Sequence, residues 1–228
     1  MVPVNSRHPN SPDPRLLAAL GAANPSTRLQ AVLALGTHPA PELVDVLVAR
    51  CAIEPDFFVR DMLTWALTRL PSEITLPALR RELRSEHPQA RSQALHTLSK
   101  IGDRDAWPAI TRSLLHDADD EVARSAWRAA VVLVPDGQRQ GLATHLAAEL
   151  GRGDRSLQLS LSRALVALGD VIVPTLRTAL ASTDPAVRAH ARATRRLARD
   201  PDVGFAPAVD EARRSVALAP GPIDGAAC

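Results

Sequence analysis

The feature that most constrains this chain is a pattern that recurs about every 31 residues. Each clear copy has a small apolar residue or threonine, then an arginine, two variable positions, and Ala or Leu. Clear copies begin at Thr27, Val59, Ala90 and Val187, and looser copies begin at Val122 and Leu157. A period in this range is typical of solenoids, because one unit is too small to bury its apolar face without a neighbour. The pattern therefore predicts a stack of similar units.

Each unit is predicted to be a helical hairpin with two apolar registers. In the first helix, apolar residues stand at offsets 0, +4, +7, +8 and +11 from the leading position, which is the spacing of one helical face. A short break containing Gly or Pro follows. In the second helix a proline is followed by aliphatic residues at +2 and +6. We expect these prolines in the first turns of their helices, at Pro14, Pro41, Pro77, Pro108 and Pro174.

Composition and register together predict an all-α chain. Aromatic residues make up 3% of the sequence and Tyr is absent, which favours helices packed through small side chains over a sheet. The registers place an α-solenoid over residues 14–215, with about six helical hairpins after an N-terminal half-repeat. Its last unit, which has Arg195 and Ala198 where Leu is usual, is interpreted as a polar cap. Residues 1–13 and 216–228 are expected to be flexible tails.

Charge, histidine and cysteine content predict no particular chemistry. The net charge is +2, so a general attraction to nucleic acid would require charge segregated on one face. The seven histidines form no helical i, i+4 pair and have no Cys partner, so we predict no metal site, no cofactor and no catalytic residues. No apolar run reaches the length of a membrane-spanning helix, and two cysteines form no disulfide framework. We expect a cytoplasmic protein without a membrane partner.

One stretch of the repeat resembles a known family. Residues Asp184–Arg188 are Asp-Pro-Ala-Val-Arg, with variants at Asn24–Arg28 and His87–Arg91. With the Pro-x-Leu helices, these motifs resemble the short HEAT-like repeats of bacterial proteins, the class that includes the phycobilisome lyase repeats. The resemblance covers roughly residues 14–214, and it implies a solenoid whose second helices line a concave wall. The family includes scaffolds, lyases, a hydroxylase and DNA glycosylases, so the resemblance leaves the activity open.

The recurrent arginines are interpreted as structural. Acidic or polar residues recur just before them, at helix N-termini where such side chains cap free N–H groups. We therefore expect a ladder of caps and arginine partners. The arginines are Arg28, Arg60, Arg91 and Arg188, and the expected caps are Asn24, Asp56, Asp120, Asp154 and Asp184.

The second helices provide the candidate binding surface. Their exposed positions are expected at +3, +4, +7 and +8 from the proline, where basic residues concentrate in the second and third full repeats. The candidate partner-binding residues are Arg80, Arg81, Arg84, Arg112, His116 and Arg177, with apolar contacts from Val44 and Val48. The alternative is an ordinary solvated face whose charge is offset by Glu73, Glu82 and Glu86.

These residues favour a non-catalytic scaffold that binds a partner protein or peptide, with acidic segments, on the concave helix face. A nucleic-acid-binding protein similar to the HEAT-like alkylpurine DNA glycosylases is the first alternative, for which Trp65, Trp107 and Trp127 would supply aromatic side chains. A phycobilin-lyase-like enzyme is the second alternative. Phe57 and Phe58, at one turn between repeats, are interpreted as a hydrophobic staple rather than an exposed anchor.

Overall fold

A computed structural model describes residues 13–200 of the chain. Its regular secondary structure there is helical throughout, so the all-α prediction is confirmed. The α-helices are α1 (Pro14–Ala19), α2 (Pro25–Thr37), α3 (Val44–Ile53), α4 (Phe57–Thr68), α5 (Ser72–Glu82), α6 (Pro88–Ile101), α7 (Arg112–Leu115), α8 (Asp120–Leu133), α9 (Arg139–Ala147), α10 (Arg155–Ala167), α11 (Val173–Leu180) and α12 (Pro185–Arg199). Short 3-10 helices span Pro41–Leu43, Arg104–Ala109, Asp136–Gln138 and Gly169–Ile172. The tails predicted at residues 1–13 and 216–228, apart from Asp13, and the end of the array lie outside the described residues.

The helices of each compact unit form two layers. The chain divides into units of residues 1–133 and 134–228. In the first unit, α2, α4, α6 and α8 pack side by side in chain order, while α3 packs on α5, which in turn contacts the 3-10 helix before α7. The two layers meet where α3 packs on α4, α5 on α6 and α7 on α8. In the second unit, α10 packs on α12 and α9 packs on α11.

The apolar register of the first helices forms the core of each unit. The complete register is buried in α4 and its flanking turn, and again in α10. Burial of one stripe per helix, repeated along the chain, is what lets units of this size share a continuous core. The buried residues are Val59, Leu63, Ala66, Leu67 and Leu70 in one repeat and Leu157, Leu161, Ala164, Leu165 and Leu168 in the other.

The prolines of the second register do not all occupy first turns. Pro41 begins a 3-10 helix and Pro174 is the second residue of α11, as predicted. The prediction is wrong for Pro77, which lies inside α5, and for Pro108, which lies inside the 3-10 helix Arg104–Ala109. Helix α5 begins earlier, at Ser72. Pro77 is exposed, and its ring nitrogen cannot donate a hydrogen bond to the preceding turn.

Each recurrent arginine clasps the turn that precedes its helix. In all four copies, Nη1 donates hydrogen bonds to the carbonyl oxygens five and six residues upstream, at N···O distances of 2.7 to 3.2 Å. We call this contact the arginine clasp. The donor and acceptors are Arg28 with Ala22 and Ala23, Arg60 with Glu54 and Pro55, Arg91 with Ser85 and Glu86, and Arg188 with Ser182 and Thr183. In the repeat that begins at Leu157, Gln158 replaces the arginine and its amide donates to the carbonyl of Gly153.

Two of the clasps also carry an ion pair to the following turn. Arg28 pairs with Glu54 through two hydrogen bonds of 2.7 and 2.8 Å, and Arg91 pairs in the same way with Asp117 at 3.0 Å. Glu54 is fully buried. Burial alone would raise the pKa of Glu54, but the hydrogen bonds from Arg28, the Asp56 amide and Arg50 hold that pKa down at about 2. One guanidinium thus joins two successive turns of the array.

The capping prediction is correct for four of its five residues. The side chains of Asn24, Asp56, Asp154 and Asp184 accept hydrogen bonds from backbone amides two or three residues ahead. The prediction is wrong for Asp120, which is the first residue of α8. The preceding carboxylate, Asp119, accepts from the Glu121 and Val122 amides instead. The partners of the arginines are also not the capping residues, because the guanidinium groups reach backbone carbonyls and more distant carboxylates.

In the second unit, a buried polar network links α10 and α12. The imidazole Nδ1 of His190 accepts from the Gly151 amide at 3.0 Å, so the ring proton resides on Nε2, which lies 3.0 Å from both the Gln158 carbonyl and Ser162 Oγ. Ser162 Oγ lies 2.8 Å from Thr194 Oγ1. Burial lowers the pKa of His190 to about 4, which keeps the imidazole neutral. Because both Ser162 and His190 are buried, this network belongs to the core.

Gly36 is required by the neighbouring repeat. It lies in α2 and its carbonyl accepts from Arg69, whose guanidinium stacks 5.3 Å from the centre of the Trp65 ring. A Cβ atom at position 36 would lie 2.3 Å from a carbon of the Trp65 ring. Trp65 therefore fills the space that a side chain at position 36 would need.

We predict that Gly36→Ala destabilises the protein although alanine favours helix formation. The clash with Trp65 is expected to cost about 1 to 3 kcal/mol, the usual range for overpacking. Gly141→Ala is the matched control, since Gly141 also lies within a helix but a Cβ there would meet nothing within 4 Å. The free energy of unfolding of that variant should rise by about 0.5 to 1 kcal/mol. Thermal unfolding followed by circular dichroism measures both. A Gly36→Ala variant as stable as the wild type would contradict the packing described.

Candidate binding surface

The first unit has a groove at the predicted basic surface, which we call the basic groove. It lies between the C-terminal end of α5 and the segment that leads into α7, and its volume is about 530 Å³. It is lined by Arg80, Leu83, Arg84, Pro108, Ala109, Thr111, Ser113 and Leu114. Two arginines and two hydroxyl side chains thus surround an apolar floor, the mixture typical of sites that hold a polar or charged group against an apolar wall.

The register of the second helices explains why arginines line this groove. Offsets +2, +3, +6 and +7 fall within about 140° of one another around a helix, so they form one broad stripe. In the second helix that contains α3, all four of these positions are buried. In α5 and the turn after it, the +3 and +7 positions carry Arg80 and Arg84, and Arg84 is exposed. In α5, the replacement of apolar by polar residues at these positions therefore makes them available to a partner.

The same register overturns two of the sequence predictions. Val44 and Val48 were expected to offer exposed apolar contacts, but they are only 5% and 4% exposed. Val44 occupies the +3 position and Val48 the +7 position of the stripe, and both pack in the interior. The +4 column, by contrast, is exposed in each of these repeats and contains Asp45, Arg81 and Arg112.

The remaining predicted residues are not all brought together. Arg81 is exposed and forms an ion pair with Asp45, which offsets its charge. Arg112 is exposed at the start of α7, and His116 is half-buried at its end; neither lines the basic groove. Arg177 lies in the second unit, where it lines a separate groove. The structure thus gathers Arg80 and Arg84 at one site, with Arg81 and Arg112 on the same layer of second helices.

Hydrogen bonds orient the polar side chains of the groove. Arg80 donates through Nη2 to the carbonyl of Asp105, which holds its guanidinium toward the next repeat. Thr111 Oγ1 and Ser113 Oγ lie 2.8 Å apart, and Thr111 also accepts from the Leu114 amide. Ser113 was not predicted from the sequence, because a single serine in the first turn of a short helix carries no pattern that marks it as a binding residue.

Of the three tryptophans considered for base recognition, Trp107 lies next to Pro108 in the 3-10 helix Arg104–Ala109 but does not line the basic groove. Trp127 is fully buried and donates through Nε1 to the Leu115 carbonyl, while Trp65 packs against Gly36. Trp65 lies in α4 and Trp127 in α8, so both belong to the layer of first helices. None of the side chains that line the basic groove is aromatic.

Phe57 and Phe58 do not form the predicted hydrophobic staple. They are 65% and 69% exposed at the start of α4, and their rings meet edge to face with centroids 5.6 Å apart. Ile53, at the end of α3, is 67% exposed. The staple interpretation is wrong because neither ring is covered by the preceding turn.

The fold and the surface together define an all-α protein of repeated helical hairpins. In a comparison with protein families, the chain matches HEAT repeats over residues 12–81 and 54–130. These ranges cover more than half of the chain, so the chain belongs to the HEAT repeat family, and the resemblance noted in its motifs is confirmed. A comparison with curated proteins found no match. No helix within residues 13–200 is long and apolar enough to cross a membrane.

In a comparison with solved structures, several chains are similar to this one over most of its length. One is an engineered protein that is 21% identical, with a TM-score of 0.45, and the match covers 89% of this chain and 96% of that chain. Another is the complex of CpcE and CpcF of phycocyanin lyase from Nostoc sp. PCC7120, at 17% identity and a TM-score of 0.46, covering 92% of this chain and 97% of that chain. A second engineered protein is 17% identical, with a TM-score of 0.45 and coverage of 88% and 98%.

We predict that substitution separates the structural arginines from those of the basic groove. Arg91→Leu removes a clasp and also removes the cation that pairs with Asp117, whose side chain is only 13% exposed. The free energy of unfolding should therefore fall by on the order of 2 to 3 kcal/mol. Arg84→Leu, at an exposed position, should change the free energy of unfolding by less than about 0.5 kcal/mol. Chemical denaturation of both variants makes the comparison. Equal losses would contradict the division into two classes.

Proposed function

We propose that this HEAT repeat protein is a non-catalytic scaffold whose first unit binds an acidic segment of a partner protein at the basic groove. The observation that carries the proposal is the pair Arg80 and Arg84, which occupy positions that α3 fills with buried valines. An apolar pair there would help to close the second-helix layer, whereas the arginines present cations beside a groove.

The groove offers complementary contacts for such a segment. A guanidinium matches the two oxygens of a carboxylate, and the charge-assisted bonds formed in this way are stronger than neutral ones. Arg84 is exposed and Arg80 is already oriented by the Asp105 carbonyl, so part of the ordering cost is met before binding. Leu83 and Leu114 supply the apolar floor, and the hydroxyl groups of Thr111 and Ser113 can bond to peptide amides and carbonyls.

Arg112 and Arg81 extend the charge beyond the groove. Both are exposed on the same layer of helices, and Arg81 is engaged with Asp45 at the surface. Such peripheral charges chiefly accelerate encounter and set register, while the groove itself determines affinity. A carboxylate of the partner could also replace Asp45 in the ion pair with Arg81, since exposed ion pairs contribute little to stability.

The experiment compares affinity purification from the source cells with three forms of the protein. These are the wild type, Arg80→Glu/Arg84→Glu/Arg112→Glu, and the control Arg15→Glu/Lys100→Glu/Arg163→Glu, which changes the net charge equally at exposed positions elsewhere. Quantitative mass spectrometry should find at least one partner with an acidic segment that is retained by the wild type and the control. We expect the groove variant to lose it by about tenfold or more, as when charged pairs become repulsive.

The outcomes separate this proposal from the nucleic-acid alternative. Retention of every partner by the groove variant would contradict the proposal, provided that circular dichroism shows the variant to be folded. A mobility shift of duplex DNA by the wild type, lost in the groove variant and falling steeply with salt, would assign the surface to nucleic acid instead. Equal losses in the two triple variants would mean that net charge, not the groove, determines binding.

A further inference from the structure

Helix α12 carries the strongest concentration of positive charge among the described helices. It has five arginines and no acidic residue, although the net charge of the whole chain is only +2. The five arginines lie within about 100° of one another around the helix, so they form one band along it. We call this band the arginine stripe, and its members are Arg188, Arg192, Arg195, Arg196 and Arg199.

The arginine stripe occupies the side of a first helix that normally faces the next repeat. At offset +5 from the leading residue, Ser162 Oγ of α10 lies 2.8 Å from Thr194 Oγ1 of α12, and the same offset of α4 contacts α6. In α12 this offset carries Arg192, which is only half-buried, and Val187 begins the last clear copy of the pattern. At offset +5 the five earlier first helices have buried residues, namely Val32, Thr64, Leu95, Trp127 and Ser162.

The packing of the described residues does not account for this charge. Within residues 13–200, Arg192, Arg195 and Arg199 have no ion pair or hydrogen bond, and the Nη1 atom of Arg192 is buried without a partner. Like charges at i, i+4, such as Arg195 and Arg199, also destabilise a helix. A stripe that weakens its own helix and has three unpaired cations is explained by an anion that binds from outside.

The chemistry of the stripe suits phosphates better than an acidic protein. Stable protein interfaces have an apolar core, whereas contacts to a nucleic acid backbone need chiefly cations. Guanidinium groups also match the oxygens of a phosphate with two parallel hydrogen bonds. Binding of single strands generally adds aromatic side chains on which bases stack, and α12 has no Phe, Tyr or Trp, so a duplex is favoured. After its first turn, the exposed residues of α12 are Arg195, Arg196, Ala198 and Arg199.

The arginine stripe is held in place before any ligand binds. His190 and Thr194 of α12 both lie within 3.0 Å of the Ser162 hydroxyl of α10, and the clasp of Arg188 ties the helix to the turn before it. From Arg188 to Arg199 the stripe extends about 16 Å along the helix axis. One strand of a duplex presents about five phosphates over this length. Several phosphates can therefore be contacted together without rearrangement of the helix.

We propose that the arginine stripe of α12 binds the phosphate backbone of duplex nucleic acid. The guanidinium groups of Arg192, Arg195 and Arg199 donate hydrogen bonds to phosphate oxygens, and release of counterions from the duplex drives the association. Because every base pair carries the same phosphates, this binding is independent of sequence. The site is separate from the basic groove of the first unit and from the function proposed for that groove.

Fluorescence anisotropy of a short labelled DNA duplex, titrated with the full-length protein at several salt concentrations, tests the proposal. An RNA duplex of the same sequence is measured in parallel. Binding of either duplex through the stripe supports the proposal, and the tighter of the two identifies the source of the phosphates. The stripe variant is Arg192→Gln/Arg195→Gln/Arg199→Gln, and the matched control, which removes three exposed arginines elsewhere, is Arg15→Gln/Arg104→Gln/Arg163→Gln.

The stripe variant should bind the duplex about tenfold more weakly than the wild type, or worse, at about 50 mM salt. The slope of log affinity against log salt should become shallower by about three, because each lost phosphate contact removes about 0.9 from it. The control should stay within about threefold of the wild type, since its arginines contact no phosphate. Circular dichroism shows whether each variant is folded. The replacement Arg192→Lys/Arg195→Lys/Arg199→Lys should keep most of the affinity, because backbone contacts depend chiefly on charge.

Four results would overturn the proposal. One is no binding of either duplex by the wild type at about 50 mM salt, where such binding is strong. Another is an equal loss in the control, which would mean that net charge alone matters. The third is a loss in Arg80→Glu/Arg84→Glu/Arg112→Glu but not in the stripe variant, which would place nucleic acid at the basic groove. The fourth is competition by polyglutamate as effective, charge for charge, as by unlabelled duplex, which would assign the stripe to an acidic protein.

Discussion

The arginine clasp is the interaction on which the arrangement of repeats depends. The guanidinium of each recurrent arginine takes two carbonyl oxygens from the turn before its helix, and these oxygens would otherwise need water or another donor. In Arg28 and Arg91 the same group also neutralises a carboxylate in the following turn. In these two repeats the clasp therefore fixes the start of one helix against two turns. The apolar face of that helix can then pack against the first helix of the next repeat in one orientation.

The second helices are free to vary in sequence because the clasps and most of the register lie in the first helices. The first helices carry the register and the clasp, so a substitution there would disturb packing with both neighbouring repeats. The second helices need only their apolar stripe, and α5 shows that part of the stripe can be replaced by Arg80 and Arg84 without loss of the fold. A repeat protein can thus acquire a charged binding surface in one repeat while its neighbours keep an apolar one.

Much of this architecture could be predicted because it follows from periodicity. The positions of Leu63 or Leu161 in the core depend only on helical spacing, which the sequence displays directly. The exposure of Val44 and Val48 was predicted wrongly because the buried stripe of the second helices includes offsets +3 and +7 as well as +2 and +6. The width of this stripe depends on how closely the second helices pack. The partners of the recurrent arginines were out of reach for another reason. Backbone carbonyls are present at every residue, so their use as acceptors leaves no mark in the sequence. The basic groove is likewise a property of two adjacent repeats and not of any single motif.

We propose that the partner binds at the basic groove and not on the layer of first helices. The most direct measurement is site-specific photo-cross-linking in the source cells, with a benzophenone amino acid introduced in place of Ser113 in the groove or of Gln30 on α2. We expect cross-links from position 113 to an acidic stretch of another protein and none from position 30. Cross-links that form as readily from position 30, or that reach only nucleic acid or non-acidic segments from position 113, would contradict it.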